Sequence, residues 1–205
     1  MRAAPRHPRL RLSLEMSEEN RVILLPATRR DRADFVAAMR ASAALHQPWI
    51  APPVDDDAFD AVLERSRGES FEFMLVRRRS DAAIAGYFDL SQIIRGPLQS
   101  AFLGYGGVAA LSGEGYMSEG LRLLLRYVFE ELRLHRIEAN IQPDNERSLA
   151  LVRRAGFVRE GFSERYLKIG GQWRDHERWA IRVEQWQDTR AEEGYAPSRW
   201  SSESA

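Results

Sequence analysis

Two glycines separated by one residue, Gly113 and Gly115, precede a strongly patterned helix in the stretch LSGEGYMSEGLRLLLRYVFEEL (111–132). From Met117 onward apolar residues recur at three- and four-residue steps, which predicts a helix with one buried stripe. The apolar, glycine-rich stretch before it, AFLGYGGVAAL (101–111), predicts a strand. The first N–H groups of a helix have no intrahelical partner and carry the positive end of its dipole. A glycine turn in front of them is suited to bind a phosphate, although the same glycines could simply permit a tight reversal.

Two familiar nucleotide-binding motifs do not account for this turn. A P-loop requires a lysine directly after its second glycine, and the chain contains no Gly-Lys pair. Gly104, Gly106 and Ala109 match the spacing of the dinucleotide fingerprint, but that motif opens its helix directly. Here further strand and a second glycine turn intervene. The sequence therefore predicts a possible pyrophosphate-binding turn on a fold that is not of the Rossmann type.

Composition limits the classes of protein to which the chain can belong. Its 205 residues suffice for one sizeable core and are few for two domains. The 30 basic residues equal the 30 acidic ones, which gives no bulk electrostatic footprint for nucleic acid or an anionic membrane. Cysteine is absent and the four histidines lack the spacing of a metal pair, so we assign no disulfide, no thiolate nucleophile and no metal. No apolar run approaches the roughly 20 residues of a membrane span, and we expect a cytoplasmic protein.

The predicted elements alternate along the chain and indicate a mixed sheet with helices on its faces, an α+β (α/β layered) architecture. We expect a flexible lead-in at 1–20, one domain at 21–186 and a flexible tail at 187–205. Strands are predicted at 21–27, 71–78, 82–94, 100–109, 136–142, 157–169 and 172–186. Helices are predicted at 31–45, 55–67, 117–132 and 145–156.

Several motifs resemble the GNAT acetyltransferase superfamily. The turn S-G-E-G-Y-M and the stretch HRIEANIQPDNERSLALVRRAGFVREG (135–161) resemble its coenzyme-A-binding core. A narrower similarity is to the RimJ-type N-acetyltransferases, which modify the N-terminal alanine of a ribosomal protein. It is carried by IAGYFDLSQIIRG (84–96), FLGYGG (102–107), LHRIEAN (134–140), PDNERS (143–148) and GGQWRDH (170–176). The resemblance implies a mostly antiparallel sheet with helices on both faces and two splayed central strands.

The resemblance also implies acetyl-CoA as cosubstrate. The N–H groups of the glycine turn would hold its pyrophosphate, the strand edge before the turn would pair with the pantetheine arm, and a backbone N–H near Val108 would polarise the thioester carbonyl. Asn145 matches a coenzyme-contacting asparagine of the family and is also suited to cap its helix. The implied coenzyme-binding residues are Gly106, Gly107, Val108, Ser112, Gly113, Glu114, Gly115, Tyr116, Met117, Asn145 and Ser148.

Three positions depart from the family pattern. Ser112 replaces a usual glutamine or arginine, and Glu114 replaces a usual lysine or arginine, so that a carboxylate stands beside the expected pyrophosphate. Val152 takes the place where many members carry a tyrosine general acid, which RimJ-like proteins also lack. These departures motivate an alternative in which the chain binds coenzyme A without catalysis.

The general base is also atypical. Asn140 stands where some relatives place a glutamate, so a water held by Asn140 could take the proton, with Glu138 as the second candidate. A weak base favours an N-terminal α-amine as acceptor, because roughly a fifth to a third of such groups are already neutral near pH 7.4, against about one lysine in a thousand. The alternative acceptor is a small-molecule amine such as a polyamine or an aminoglycoside.

Candidate acceptor contacts lie in loops. Trp49, within HQPWIAPP (46–53), could form one wall for a peptide N-terminus or could plug the core. Asp175 could bind a cationic amine or could serve as hairpin scaffolding, and Arg95 could contact substrate or coenzyme. The expected partners are acetyl-CoA and a protein N-terminus or small amine, without direct contact to nucleic acid, in a monomer or dimer.

Overall fold

A seven-stranded sheet organises residues 20–192, the part of the chain that the computed structural model describes. Its strands are β1 Val22–Pro26, β2 Phe71–Arg78, β3 Ile84–Ile94, β4 Ser100–Gly107, β5 Arg136–Ile141, β6 Val158–Ile169 and β7 Gln172–Arg182. The spatial order is β1-β2-β3-β4-β5-β7-β6, and every neighbouring pair is antiparallel except β4 and β5, which are parallel. The predicted mixed, mostly antiparallel sheet is confirmed.

Six α-helices accompany the sheet in the described residues. They are α1 Arg32–Ala41, α2 Ala43–His46, α3 Asp56–Arg65, α4 Tyr116–Arg126, α5 Glu146–Arg154 and α6 Val183–Glu192. A π-helical turn, Tyr127–Glu131, extends α4. Within residues 20–192 no helix is both long and apolar enough to cross a membrane.

Each face of the sheet buries its own core. On one face, Phe88 of β3 packs with Leu121 and Leu124 of α4, and the three side chains are fully buried. On the other face, Phe35 of α1 stacks against Phe59 of α3, with ring centroids 5.1 Å apart. Alternate residues of a strand point to opposite faces, so the strand patterns supply both cores at once. The predicted placement of helices on both faces is confirmed.

The bounds of two predicted elements are wrong, namely the helix expected over 31–45 and the strand expected over 172–186. The helix expected over 31–45 is interrupted at Ser42, whose hydroxyl donates to the carbonyl of Ala38 at 2.7 Å and accepts from the N–H of Ala109 at 2.9 Å. A serine bonded in this way competes with the regular helical ladder.

The strand expected to reach residue 186 ends at Arg182, and the segment expected to be a flexible tail from 187 begins inside α6. Val183 and Trp186 are both buried three residues apart, which is helical spacing, and Trp186 stacks on Phe129 with ring centroids 5.2 Å apart. The remaining predictions for 1–19 and 193–205 fall outside the described residues.

The central parallel pair is joined only at its start. Ser100–Phe102 of β4 pair with Arg136–Glu138 of β5, and beyond these residues the two strands separate. β4 stays paired with β3 as far as Gly107, and β5 stays paired with β7 as far as Ile141. Each strand keeps its outer neighbour, so a gap opens between β4 and β5 toward their carboxyl ends. The predicted splay of two central strands is therefore present.

Candidate active site

The glycine turn that follows β4 requires glycine at both positions. Gly113 has φ 88° and Gly115 has φ 84°, a left-handed conformation that side chains disfavour, and Gly115 is the N-cap residue of α4. A Cβ built on Gly113 would have no heavy atom within 4 Å among the described residues. The turn is thus shaped by its glycines, and its outer side is open in front of the first N–H groups of α4.

Arg21, which directly precedes β1, holds this turn in place. Its Nη2 donates to the carbonyl of Glu114 at 2.9 Å, its Nε donates to Oε1 of Glu119 at 2.7 Å, and its guanidinium lies 4.9 Å from the ring centroid of Tyr116. The Glu114 side chain itself is exposed. The carboxylate that departs from the family pattern therefore faces solvent, and Arg21 places a cation beside the turn, where it is paired with Glu119.

Two residues predicted to bind the coenzyme through the turn contribute less than expected. The N–H of Ser112 donates to the carbonyl of Ala109 at 3.1 Å, so this group is not free for a phosphate. Met117 lies with its sulfur over Gly86 of β3, which makes its side chain part of the packing between α4 and the sheet. Tyr116 and Met117 remain candidates through their backbone N–H groups at the start of α4.

The N–H of Val108 itself is not available to a ligand, because it donates to the carbonyl of Ala85 at 2.9 Å within the sheet, so the predicted contact to the thioester needs another N–H near Val108. In an antiparallel pair, successive residues of a strand point their N–H and C=O groups alternately toward and away from the neighbour. Since the backbone N–H of Val108 is directed toward β3, the backbone N–H and C=O groups of Gly107 and Tyr105 are directed into the gap. Those of Gly106 are directed toward β3. The carbonyl of Gly107 already accepts from Nε2 of His46 at 2.8 Å.

A cavity of about 280 Å³ lies at the gap between β4 and β5. Ile137, Ala139 and Ile141 belong to the core beneath α4 and α5, so Asn140 points to the opposite face, which α1 and α3 cover. The cavity is lined from both faces of the sheet. Its lining includes the predicted residues Trp49, Asn140, Asn145 and Ser148, together with Asp89, Tyr105, Tyr166 and His176, which the sequence did not single out.

Three other predicted site residues lie outside this cavity and have structural partners. Glu138 accepts from Nε of Arg136 at 2.8 Å, and Asp175 accepts from the backbone N–H of Arg165 at 2.8 Å. The second contact fixes the irregular part of β6, where the register with β7 shifts. Arg95 donates to the carbonyl of Leu132 near the closed end of the β4–β5 pair. The geometry favours scaffolding for all three residues.

Asn140 and Trp49 meet the cavity in different ways. Oδ1 of Asn140 is buried and has no hydrogen-bond partner, which leaves a strong acceptor unused in the lining. The backbone carbonyl of Trp49 accepts from Nε2 of Gln142 at 3.2 Å, which ties the loop after α2 to the end of β5. Trp49 lines the cavity, and its role as a wall for a peptide N-terminus stays a prediction, whereas Asn140 offers an acceptor to a donor inside the cavity.

Asp89 of β3 is the acidic residue among those described in the cavity lining. It lies against Gly104 of β4, where a built Cβ would approach the Asp89 Cγ to 2.8 Å, so only glycine leaves room for this carboxyl group. Burial raises the pKa of Asp89 to about 6, partly opposed by the positive charge of Arg65. A carboxylate with such a pKa is ionised at neutral pH and remains basic enough to exchange a proton there.

His176 and Tyr105 complete the polar lining. Burial lowers the pKa of His176, so the imidazole is neutral at physiological pH, and its Nδ1–H donates to the carbonyl of Arg174 at 2.9 Å. Burial raises the pKa of Tyr105 to about 12, and its hydroxyl reaches 3.5 Å from the carbonyl of Ser148. The Tyr105 side chain thus spans the gap from β4 to α5. No group of three potential metal ligands occurs in residues 20–192.

Asn145 caps α5, as its position predicts, because its Oδ1 accepts from the N–H of Ser148 at 3.2 Å. Since Asn145 also lines the cavity, Asn145→Ala is expected to weaken coenzyme binding and to lower the free energy of unfolding by about 1 kcal/mol. The matched control is Asp55→Ala, which removes the cap of α3, where Oδ1 accepts from Ala58 N–H at 2.7 Å. Both variants should lose similar stability by chemical denaturation, and only Asn145→Ala should bind CoA more weakly by calorimetry. Equal CoA affinities would reduce Asn145 to a cap.

Comparison with known proteins agrees with this geometry. The family model described as acetyltransferase (GNAT) domain matches residues 21–158. The chain belongs to the GNAT acetyltransferase family. Among curated relatives, it is 47% identical over 102 residues to the probable N-acetyltransferase YjcK of Bacillus subtilis, a match covering 50% of this chain and 56% of YjcK. It is 38% identical over 120 residues to the [ribosomal protein uS5]-alanine N-acetyltransferase of Escherichia coli, covering 58% of this chain and 61% of that protein.

A solved structure extends the likeness to three dimensions. Mycobacterium smegmatis RimJ in complex with CoA-disulfide superimposes with a TM-score of 0.72 at 28% identity, covering 80% of this chain and 83% of RimJ. The resemblance to RimJ-type GNAT proteins is thereby confirmed. The curated matches span 56% and 61% of the relatives' lengths.

Proposed function

We propose that this chain is an acetyl-CoA-dependent N-acetyltransferase whose acceptor is the N-terminal α-amine, alanine first, of a ribosomal or other protein. The observation that carries the proposal is the gap between β4 and β5, whose cavity is lined from both faces of the sheet. The glycine turn and α4 follow one of these strands, and the capped start of α5 follows the other. Two helix N-termini therefore follow the carboxyl ends of the splayed strands, where ligands of α/β proteins commonly bind.

The residues present fit acetyl-CoA, which would supply the acetyl group as a thioester. The open N–H groups at the start of α4 suit a pyrophosphate. The N–H of Tyr105 points into the gap beside Gly104, and we assign it to the thioester carbonyl in place of Val108. The buried Oδ1 of Asn140 offers an acceptor to an incoming amine.

An α-amine acceptor is supported by the modest basicity of the cavity. The acidic group among the described lining residues is Asp89, whose pKa of about 6 lies far below the ordinary value of about 10.4 for a lysine side chain. An α-amine is roughly a fifth to a third neutral near pH 7.4, so it needs far less help than a lysine. The similarity to the uS5-alanine N-acetyltransferase of Escherichia coli points to the same class of acceptor.

Two measurements test this function in sequence. Calorimetric titration with acetyl-CoA should show micromolar or tighter binding. A mass-shift assay should then show acetylation of a peptide with a free N-terminal alanine, and slower acetylation of the same peptide with a blocked N-terminus and one lysine. Spermidine serves as the small-amine comparison. Faster reaction of lysine or spermidine would replace the proposed acceptor, and absence of acetyl-CoA binding would leave a GNAT fold without transferase activity.

A further inference from the structure

We propose that Asp89 is the catalytic base of this enzyme and that, together with Oδ1 of Asn140, it binds the acceptor amine at the gap between β4 and β5. This inference rests on the proposed acetyl transfer and identifies the group that completes it. The two residues come from strands on opposite sides of the gap. Asp89 belongs to β3, which stays paired with β4 along one side of the gap. Asn140 belongs to β5 on the other side.

Strand parity places the two groups on one face. Tyr87 packs into the core beneath α1 and α3, and Asp89, two residues further along β3, points to that same face. Asn140 points there as well, because its neighbours Ala139 and Ile141 belong to the opposite core. The acceptor therefore approaches from the α1 and α3 face, whereas Asn145 and Ser148 line the cavity from the face of α5.

Gly104 gives the Asp89 carboxyl group access to the gap. Asp89 and Gly104 are direct partners across β3 and β4, and a Cβ at this position would approach Oδ1 of Asp89 to 2.9 Å. The carboxyl group therefore lies over bare backbone instead of beside a side chain. The next residue of β4, Tyr105, turns its N–H into the gap. The proposed base, Asp89, is therefore paired with the residue directly before the proposed carbonyl-binding N–H.

A structural role accounts less well than ligand binding for the position of Oδ1 of Asn140 and of the Asp89 carboxyl group. Oδ1 of Asn140 is buried without a partner, which is costly unless a ligand uses it. Asp89 forms no ion pair with any described residue, and burial raises its pKa despite the opposing effect of the Arg65 charge. A half-buried carboxylate at a cavity, without a salt bridge, lowers the stability of the fold at neutral pH, a cost characteristic of functional groups.

The proposed acetyl transfer breaks one N–H bond of the amine and the C–S bond of the thioester, and it forms one C–N bond. An N–H bond of the amine breaks and its proton moves to Asp89, while the nitrogen lone pair forms a C–N bond with the thioester carbon. The C–S bond breaks, and the thiolate leaves with its electron pair. Asp89 then releases its proton to the thiolate or to water, which regenerates the carboxylate.

Other titratable groups near Asp89 must be separated from it in any test. Arg65 of α3 lowers its pKa, and Tyr87 lies on the same strand. Tyr166 of β6 and His176 of β7 line the same cavity. Glu138 of β5 points to the same face but is paired with Arg136. Among these groups, His176 is the one whose titration could imitate that of Asp89.

The experiment measures kcat/KM for acetylation of the N-terminal alanine peptide from pH 5 to 9 in the wild type, Asp89→Asn, His176→Gln and Glu138→Gln. The wild type should rise with pH in two steps, one near the Asp89 pKa of about 6 and one at the amine pKa of about 8. Asp89→Asn should lose about 100-fold or more in kcat/KM at neutral pH and should lose the lower step. His176→Gln should keep that step. Asp81→Asn, in the exposed turn between β2 and β3, is the matched control and should behave as the wild type.

Stability and CoA affinity distinguish a catalytic role for Asp89 from a structural one, because only a structural role predicts that Asp89→Asn loses either of them. Because the folded pKa of Asp89 lies above its ordinary value, its contribution to stability is lost as the pH rises through about 6. Asp89→Asn should therefore unfold at neutral pH no more easily than the wild type and should bind CoA with unchanged affinity. Retained peptide turnover in Asp89→Asn, a lower step that disappears in His176→Gln, or a comparable loss in Glu138→Gln would each overturn the assignment. A wild type that binds acetyl-CoA but acetylates no amine would overturn both this inference and the proposed function.

Discussion

Replacing Gly86 by alanine is expected to lower the free energy of unfolding by about 3 kcal/mol or more, the upper range for overpacking a core. A Cβ at Gly86 would lie 2.6 Å from the backbone carbonyl oxygen of Gly106 and would collide with the sulfur of Met117. The Gly106 carbonyl belongs to the neighbouring strand and cannot rotate away. Relief requires that β4 shift from β3 or that the first turn of α4 lift from the sheet.

The consequence for function follows from where Met117 lies. It is the second residue of α4, directly after the glycine turn proposed to hold the pyrophosphate. Any population of Gly86→Ala that remains folded should therefore bind CoA more weakly than the wild type. Chemical denaturation gives the stability, and calorimetry on the folded protein gives the affinity.

Gly68→Ala is the matched control for this substitution. Its Cβ would meet the nearest atom, the carbonyl oxygen of Arg65, at 3.4 Å, which is ordinary contact, so the free energy of unfolding should change by less than about 1 kcal/mol. If Gly86→Ala were as mild as Gly68→Ala, α4 could not be packed against β3 as the structure shows.

The parts of the site that were predictable from sequence are those fixed by local chain geometry. Apolar spacing located α4 and the strand before it, and two glycines before the helix marked the turn. Asn145 was recognisable as a cap because the residue type and its place at the start of α5 determine that bond. The splay between β4 and β5 was expected only through the family resemblance, since no local pattern encodes it.

Contacts set by strand register were not predictable. Which N–H group near Val108 faces the gap depends on parity, because a shift of one residue between β3 and β4 exchanges the groups that face the gap, and the N–H of Val108 itself faces β3. Asp89 gains its position only through its pairing with Gly104 across the sheet. Arg21 reaches the turn from 93 residues away along the chain.

The partner of Glu138, the second candidate for the base, is predictable from sequence alone. Residues two apart on a strand share a face, so Arg136 was bound to lie beside Glu138, and the ion pair between them follows. The same rule applied to β3 would have placed Asp89 beside Tyr87 and Ser91, without revealing that its cross-strand neighbour lacks a side chain.

Replacing Gly104 by alanine is expected to reduce kcat/KM by about 100-fold, the same order as loss of the base itself. The new Cβ would meet the Asp89 Cγ at 2.8 Å and must displace this carboxyl group from its position over the strand. The substitution leaves Asn145 and the glycine turn proposed to hold the pyrophosphate untouched, so CoA affinity measured by calorimetry should stay near that of the wild type. A steady-state assay with the N-terminal alanine peptide measures the loss.

A double-mutant cycle decides whether the effect passes through Asp89. In an Asp89→Ala background the carboxyl group is gone and the new methyl group has room, so adding Gly104→Ala should cost little further activity. The two substitutions should therefore be strongly non-additive, as expected for residues in direct contact. Additive losses would mean that a side chain at 104 obstructs the gap itself, either by blocking the amine or by moving the Tyr105 N–H. In that case Gly104 would be required for access to the thioester and not for the placement of the base.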